Sequence, residues 1–407
     1  MHPPASRLPR QADTYKDCNY PERKVNMVYI TTRQNQVQTR QLSFDEMCFG
    51  GLDIHNEYRD NITNNTRTFK TENVPEKYLY SINVQELINQ LEFFNNSTEA
   101  LRREPRASLY RSYRIPKRSG GSRPIDEPLP PLMTALKNLK MLFEFNFRAL
   151  HHTSAFAYVA KRATIDCARR HQYNESKWYG KFDLTNFFGS TTLEFAMRML
   201  SMVFPFSEVM KNPQGERELT KAIELGFLRG GLPQGSPLSP TLTNYIMVPF
   251  DHEFTSIIRR YNRQNYVYTR WADDFIISSK YEFSTREIID LIEGTLRSLD
   301  APYRINRDKT RYGNTSFSNW VLGLNINADN NITVGYKFKK KLARDLFNYA
   351  ADRNAGTPWD YGRIKKLDGD FNYAHSIEPQ YFDELIQRVS NKCDLDIKAA
   401  IRADTKV

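Results

Sequence analysis

The run Val267-Tyr268-Thr269-Arg270-Trp271-Ala272-Asp273-Asp274-Phe275-Ile276-Ile277 sets two adjacent carboxylates among aromatic and β-branched residues, the composition of two short strands joined by a tight turn. Two like charges side by side against buried apolar strands are poorly solvated unless a cation neutralises them. An isolated Asp-Asp pair is well explained as a solvated hairpin tip. A third carboxylate shifts the balance: Asp183 ends Trp178-Tyr179-Gly180-Lys181-Phe182-Asp183-Leu184, another strand-like run, followed by Thr185-Asn186-Phe187-Phe188-Gly189. If the two strands lie side by side, Asp183, Asp273 and Asp274 form one oxygen-rich cluster suited to Mg²⁺, which favours carboxylates, waters and substrate phosphates. Such a trio can hold two ions. Placed about 3.5–4 Å apart, they activate an attacking oxygen and stabilise a leaving one in phosphoryl transfer, chemistry common to polymerases and nucleases.

Between these strands lies Gly231-Leu232-Pro233-Gln234-Gly235-Ser236-Pro237-Leu238-Ser239-Pro240-Thr241-Leu242-Thr243-Asn244, a loop entering a helix. Ser239 is expected as the N-cap and Pro240 as the first helical residue. Glycines let the backbone approach a ligand, and a helix N-terminus offers unpaired N–H groups to anionic oxygens. An ordinary loop-to-helix junction has the same composition.

In this order the segments resemble the palm of a reverse transcriptase: Phe182-Asp183 with Phe187-Phe188, then Leu232-Pro233-Gln234-Gly235-Ser236-Pro237, then Ala272-Asp273-Asp274. The resemblance continues upstream in Tyr113-Arg114-Ile115-Pro116-Lys117-Arg118-Ser119-Gly120-Gly121-Ser122-Arg123-Pro124-Ile125, similar to the family's fingers hairpin. Downstream it takes in Asn306-Arg307-Asp308-Lys309-Thr310 and Val321-Leu322-Gly323-Leu324, so that it spans residues 105 to 345. The Leu-Pro-Gln-Gly and Ala-Asp-Asp forms are most like bacterial retroelement enzymes of the retron and group II intron types. Where retron enzymes carry Asn-Ala-x-x-His and Val-Thr-Gly elements, this chain has Cys167-Ala168-Arg169-Arg170-His171 and Val321-Leu322-Gly323. A defence-associated or unclassified bacterial member therefore stays open.

The resemblance implies roles position by position. Asp183 and Asp273 are the principal metal ligands, with Asp274 beside them and the Leu184 carbonyl completing a coordination shell. Phe188 matches the bulky gate that excludes ribonucleotides at the sugar's 2′ position; core packing is its alternative reading. Gln234 matches a residue lining the incoming-nucleotide pocket, and Arg123 one that contacts the triphosphate, a task suited to its planar multi-donor fork. Lys117 and Arg118 flank the Gly120-Gly121 turn and are read either as phosphate or template contacts or as a solvated hairpin tip. Lys309 matches a lysine that protonates departing pyrophosphate, although Arg304, Arg307 and Arg311 around it also make a phosphate-binding patch. Trp271 either touches the primer end or packs against the turn.

The 58 Lys and Arg residues against 47 Asp and Glu give a formal charge of +11, which fits a phosphate-rich partner. Basic residues gather at Lys161-Arg162, Arg169-Arg170, Arg304 to Arg311 and Lys337-Phe338-Lys339-Lys340-Lys341 with aromatics interleaved, as in grooves that track a nucleic-acid backbone. The segment from His152 to Arg162 resembles the family's template-side region. Cys18, Cys48, Cys167 and Cys393 form no C-x-x-C pair, which points to reduced thiols rather than zinc or disulfides. With neither a signal-peptide core nor a long apolar run, a cytoplasmic protein without membrane association is expected.

The implied fold class is α+β, a right-hand polymerase with fingers, a palm of antiparallel sheet and helices, and a helical thumb. Its expected division is an N-terminal arm and helical extension over 1–104, fingers over 105–178, a palm with interleaved fingers elements over 179–335, and a thumb over 336–407. Residues 1 to about 40 read as an extended arm. A helix is expected over 83–104, with Val84, Leu87, Ile88, Leu91 and Phe94 on its buried face. Thumb helices are expected at Lys340 to Ala351 and Pro379 to Val389, separated by turn signals at Gly356-Thr357-Pro358 and Leu367-Asp368-Gly369-Asp370; the latter also resembles a glycine-centred thumb element of bacterial reverse transcriptases.

The resulting expectation is an RNA-directed DNA polymerase of a bacterial retroelement or antiphage defence system. It would join deoxynucleoside triphosphates to a primer 3′-hydroxyl on an RNA template, a noncoding RNA, with two Mg²⁺ ions for which Mn²⁺ can substitute. The DNA product remains a partner, and self-association or an associated defence protein is compatible with the chain. Template-independent DNA synthesis is an alternative, as is an RNA-binding maturase or scaffold, whose function would survive loss of Asp183 or Asp273.

Overall fold

The computed structural model describes residues 28–31, 37–40, 83–117, 120–146, 151–260, 265–315 and 321–405. Most of the expected N-terminal arm, with Cys18 and Cys48, lies outside the described residues, as does Arg118. Within the arm, β1 (Val28–Thr31) pairs antiparallel with β2 (Val37–Arg40).

Helix α1 (Val84–Ser97) is capped by the Asn83 side chain, which accepts from the Glu86 N–H. It buries Leu87, Ile88, Leu91 and Phe94, as the sequence spacing predicts, with Val84 at the margin. The expected continuous helix to residue 104 breaks at Thr98: its N–H and hydroxyl both turn back to the Phe94 carbonyl, and a short α2 (Glu99–Arg103) restarts beyond it. Strands β3 (Tyr110–Pro116) and β4 (Ser122–Pro128) then form a hairpin with Tyr110 opposite Pro128 and Pro116 opposite Ser122. Helices α3 (Pro130–Asn146) and α4 (Thr164–Tyr173) follow.

The centre is a four-stranded antiparallel sheet. Strand β5 (Trp178–Asp183) leads into α5 (Phe187–Ser190), α6 (Leu193–Leu200), α7 (Phe206–Met210), α8 (Pro213–Glu224), α9 (Ser239–Ile246) and α10 (Val248–Arg260). The hairpin β6 (Val267–Trp271) and β7 (Asp274–Ser279), helix α11 (Thr285–Ser298) and β8 (Arg311–Asn314) complete it, in the order β6-β7-β5-β8. Side chains alternate across a strand, and the register makes the consequence explicit. Phe182 faces Phe275 and Gly180 faces Ile277 across the β5–β7 ladder; Phe182, Phe275 and Ile277 join Phe250 and Phe254 of α10 and Ile288 and Ile292 of α11 in the main core. The other face carries Tyr179, Lys181 and Asp183 from β5 and Asp274, Ile276 and Ser278 from β7. Tyr179 and Ile276 on it pack toward the C-terminal helices.

After the small β9 (Asn325–Ile326) and β10 (Ile332–Thr333), four helices close the chain: α12 (Tyr336–Asn354), α13 (Tyr361–Ile377), α14 (Pro379–Cys393) and α15 (Ile397–Asp404). The expected turn at Leu367-Asp368-Gly369-Asp370 is instead the middle of α13. Ile364, Leu367, Phe371 and Ala374 are buried at helical spacing, and that apolar stripe outweighs a single interior glycine, a cost of about 1 kcal/mol. The Gly356-Thr357-Pro358 signal does mark the break between α12 and α13. No described helix is long and apolar enough to cross a membrane.

Candidate active site

The β5–β7 register places Asp183 directly opposite Asp274. Asp273 occupies the two-residue turn after β6, where Ala272 takes a left-handed φ of +58°. Backbone bonds tie the turn to the end of β5: the Leu184 N–H donates to the Asp273 carbonyl at 3.0 Å, and the Asn306 N–H donates to the Asp183 carbonyl at 2.7 Å. Leu184, buried, bridges Ile305 on its other side. Burial raises the Asp273 pKa to about 6, assisted by the charges of Asp274 and Asp183 and opposed by a backbone hydrogen bond and Lys309. All three carboxylates thus share one electrostatic neighbourhood.

Lysines supply the countercharge. Lys309 Nζ donates to both oxygens of Asp183, at 2.9 and 3.1 Å, and that bond raises the Lys309 pKa. Lys181 Nζ lies 2.8 Å from Asp274 Oδ2. Among the described residues no three His, Cys, Asp or Glu side chains are drawn into a ready-made ligand cage; two carboxylates face ammonium groups instead. The donor set nonetheless fits a hard divalent cation, being all carboxylate with Asp273 and Asp274 partly exposed, as Mg²⁺ sites completed by water and substrate phosphates are. Lys181 is not among the residues that the family resemblance singles out. Period-two alternation could have found it, since residues 181 and 183 of one strand share a face.

Behind the turn, Arg270 and Asp251 form an ion pair whose side chains are both 0 % exposed. Arg270 Nε donates to both Asp251 oxygens at 2.9 and 3.1 Å and Nη2 donates to Oδ2 at 2.7 Å. Its Nη1 reaches Asn244 Oδ1 at 3.1 Å and the Ala272 carbonyl at 3.3 Å, while the Tyr268 hydroxyl donates to Asp251 Oδ1 at 2.8 Å. Burial alone would lower the Arg270 pKa, but the charge and hydrogen bonds of Asp251 raise it overall. This buried network ties α9 and α10 to the carboxylate turn. Sequence gave no partner for Arg270, because Asp251 and Asn244 approach it only in three dimensions.

On the opposite face of the sheet His171 of α4 contacts Ser278 Oγ at 2.6 Å and Thr269 Oγ1 at 2.8 Å. Cys167 Sγ donates to the same Thr269 oxygen at 3.2 Å. Burial, with Arg170 nearby, lowers the His171 pKa to about 3, so the ring is neutral.

The loop from Gly231 to Leu238 sits between the β3–β4 hairpin and Phe188. The Asp126 N–H of β4 donates to the Gln234 carbonyl at 2.7 Å, and the Leu232 N–H donates to the Phe188 carbonyl at 2.9 Å. Two glycines make these approaches feasible: a Cβ on Gly235, at φ +120°, would lie 2.7 Å from the Asp126 carbonyl oxygen, and one on Gly231 would lie 2.2 Å from that of Gly189. Ser239 is not the N-cap. It is the first residue of α9, after Leu238, and its hydroxyl donates to the Pro233 carbonyl at 2.9 Å, folding the loop back on the helix. Gln234 and Phe188 are half-buried, Phe188 with its ring 5.4 Å from that of Phe187. Arg123 and Lys117 are exposed on the hairpin, where Lys117 closes the turn through its N–H to the Gly121 carbonyl. Trp271 is half-buried, packed against the cluster that includes Tyr179 and Ile276.

A carboxylate trio at the mouth of a four-stranded antiparallel sheet, with a glycine-bearing loop and a hairpin beside it, is the arrangement of a nucleotidyl-transferring palm. The reverse transcriptase (RNA-dependent DNA polymerase) family model matches residues 115–326, over half the chain, and the chain belongs to that family. It is thus an RNA-directed DNA polymerase by class, a family that uses divalent metal ions. Among its relatives, the Retron Ec73 reverse transcriptase of Escherichia coli is 27 % identical over 277 residues, covering 67 % of this chain and 84 % of the relative. The Retron Ec83 reverse transcriptase of the same organism is 26 % identical over 298 residues, covering 72 % and 90 %. Telomerase from Candida albicans, solved in complex with a TWJ fragment of telomeric RNA, aligns with a TM-score of 0.39 and 12 % identity over 78 % of this chain and 65 % of the telomerase chain.

Proposed function

We propose that the chain copies an RNA template into DNA within a bacterial retroelement of retron type, adding deoxynucleotides to a primer 3′-hydroxyl with two Mg²⁺ ions held by Asp183, Asp273 and Asp274. The observation that carries this reading is the pairing of Asp183 with Asp274 across one ladder, with Asp273 in the adjoining turn. Bound there, the ions would lower the cost of deprotonating the attacking hydroxyl and of charge on the leaving oxygen. Asp183 and Asp273 act as principal ligands, Asp274 and the Leu184 carbonyl as neighbours. Phe188 faces the sugar, Gln234 lines the nucleotide pocket, Arg123 contacts the triphosphate and Lys117 approaches phosphate or template. Lys309, which donates to both oxygens of Asp183, would protonate the departing pyrophosphate. Residues 105–178 serve as fingers, 179–335 as palm and 336–407 as thumb.

The relatives are named retron reverse transcriptases, which supports the retron type, and a noncoding RNA is the template that type of element implies; His171 stands where the retron element that the chain resembles has its histidine, with Cys167 at the place of its asparagine. Purified protein incubated with primed RNA, the four deoxynucleotides and Mg²⁺ should give full-length complementary DNA. Asp183→Asn and Asp273→Asn should each lose about a thousandfold or more, several kcal/mol of transition-state stabilisation, with unchanged thermal unfolding. Products independent of template sequence, or activity surviving both substitutions, would refute the proposal.

A further inference from the structure

Tyr158, beside the carboxylate turn, is a residue that the proposed roles leave unexplained. Residues 152–157 are fastened tightly: Ala155 forms a parallel bridge with Arg270, whose N–H donates to the Ser154 carbonyl at 2.6 Å and whose carbonyl accepts from the Phe156 N–H at 2.9 Å. Asn244 Nδ2 donates to the Ala157 carbonyl at 2.7 Å, and Arg162 Nη1 donates to the carbonyls of His152 and Ala155. The next residue, Tyr158, adopts φ +59° and is 52 % exposed. A bulky residue in the left-handed region is strained, and such strain persists where the surroundings over-determine it and concentrates at functional sites. Asn or Gly would hold this backbone more easily.

The ring's position follows from its electrostatic neighbours. The parallel bridge between Ala155 and Arg270 runs this segment alongside β6 toward the Ala272-Asp273 turn, and the charges of Asp273 and Arg123 both act on the Tyr158 phenol. Under the proposed function, one of these binds metal and the other the triphosphate. An aromatic side chain beside the carboxylate turn stands where that reading would seat the incoming nucleotide.

We infer that the Tyr158 ring is a contact surface for the incoming deoxynucleotide, setting nucleotide affinity through its aromatic face rather than its hydroxyl. The segment that presents it is anchored to Arg270 and Asn244, the same residues that brace the carboxylate turn, so ring and carboxylates share one frame. An aromatic face accepts any base, because every base has a π-face. Tyr158 would therefore add affinity without adding sequence preference.

This inference rests on the polymerase reading, and its test separates the two. Steady-state extension of primed RNA by wild type, Tyr158→Phe and Tyr158→Asn gives KM and kcat for each deoxynucleotide, with thermal unfolding measured in parallel. Tyr158→Phe should stay within about twofold of wild type. Tyr158→Asn should raise KM about tenfold for all four nucleotides, the scale of one lost base–aromatic stack, with kcat within about threefold and a melting temperature equal to or above wild type. A flat KM in Tyr158→Asn, or a KM rise in Tyr158→Phe matching that of Tyr158→Asn, overturns the assignment of the ring. Wild-type protein that extends no primed RNA overturns the polymerase reading itself, and this inference with it.

Discussion

Replacing Arg270 by Met removes the guanidinium paired with Asp251, the one cation in ion-pair contact with it among the described residues, and the geometry sets the expected damage. Asp251 accepts from Arg270 Nε and Nη2 and from the Tyr268 hydroxyl. In Arg270→Met the tyrosine alone remains to a carboxylate with no exposure to water. Breaking a buried pair on one side costs about 3–5 kcal/mol, whereas exchanging both partners for apolar residues of similar volume is often nearly neutral. Asp251→Leu alone should therefore be comparably damaging, and the double variant should return to within about 2 kcal/mol of wild type. Urea unfolding followed by tryptophan fluorescence checks this, since Trp178 and Trp271 stand in the central sheet. Stability and activity should part company in the double variant: it still lacks the Nη1 bonds to Asn244 and the Ala272 carbonyl. A turn misplaced by about 1 Å can slow chemistry by about a hundredfold, so primer extension should stay depressed in a protein that folds well. Single-variant costs below about 1 kcal/mol, or losses that simply add in the double variant, would refute the reasoning.

Phe188→Val should open the space beside the sugar and raise ribonucleotide incorporation relative to deoxynucleotide by about tenfold or more, read from alkali-labile products; unchanged discrimination would return Phe188 to core packing. Lys181→Gln removes the ammonium that competes for Asp274, so half-saturating Mg²⁺ in extension assays should fall about two- to fivefold, the modest scale of a partly exposed pair; a rise would show that Lys181 helps hold the metal-bound state. Burial depresses the folded His171 pKa to about 3 from an ordinary 6.5, so between those values the unfolded chain binds the extra proton. Its stability contribution is intact above pH 6.5 and is lost as pH falls toward 3, by about 2 kcal/mol at pH 5. His171→Gln should flatten the pH dependence of unfolding between pH 5 and 6.5, and an unchanged slope would mean that another group governs it.

Spacing and residue type alone determined the strands around Asp183 and the Asp273-Asp274 turn, the buried face of α1 and the order of the family's segments. Each depends on local backbone preference and periodicity, properties carried by neighbouring residues in the chain. Local signals misled where a distant partner outweighed them: Gly369 lies within a helix because Leu367 and Phe371 pack into the C-terminal core, and Ser239 turns from capping to bond Pro233. Tertiary structure decided the rest. Strand register set Asp183 against Asp274, Lys181 and Lys309 came to balance their charge, Asp251 of α10 reached Arg270 of β6, and the segment before Tyr158 was bridged to Arg270 beside the carboxylate turn. Buried charges and polar side chains must find partners wherever folding brings them within a few ångströms, and a linear sequence does not encode that proximity directly.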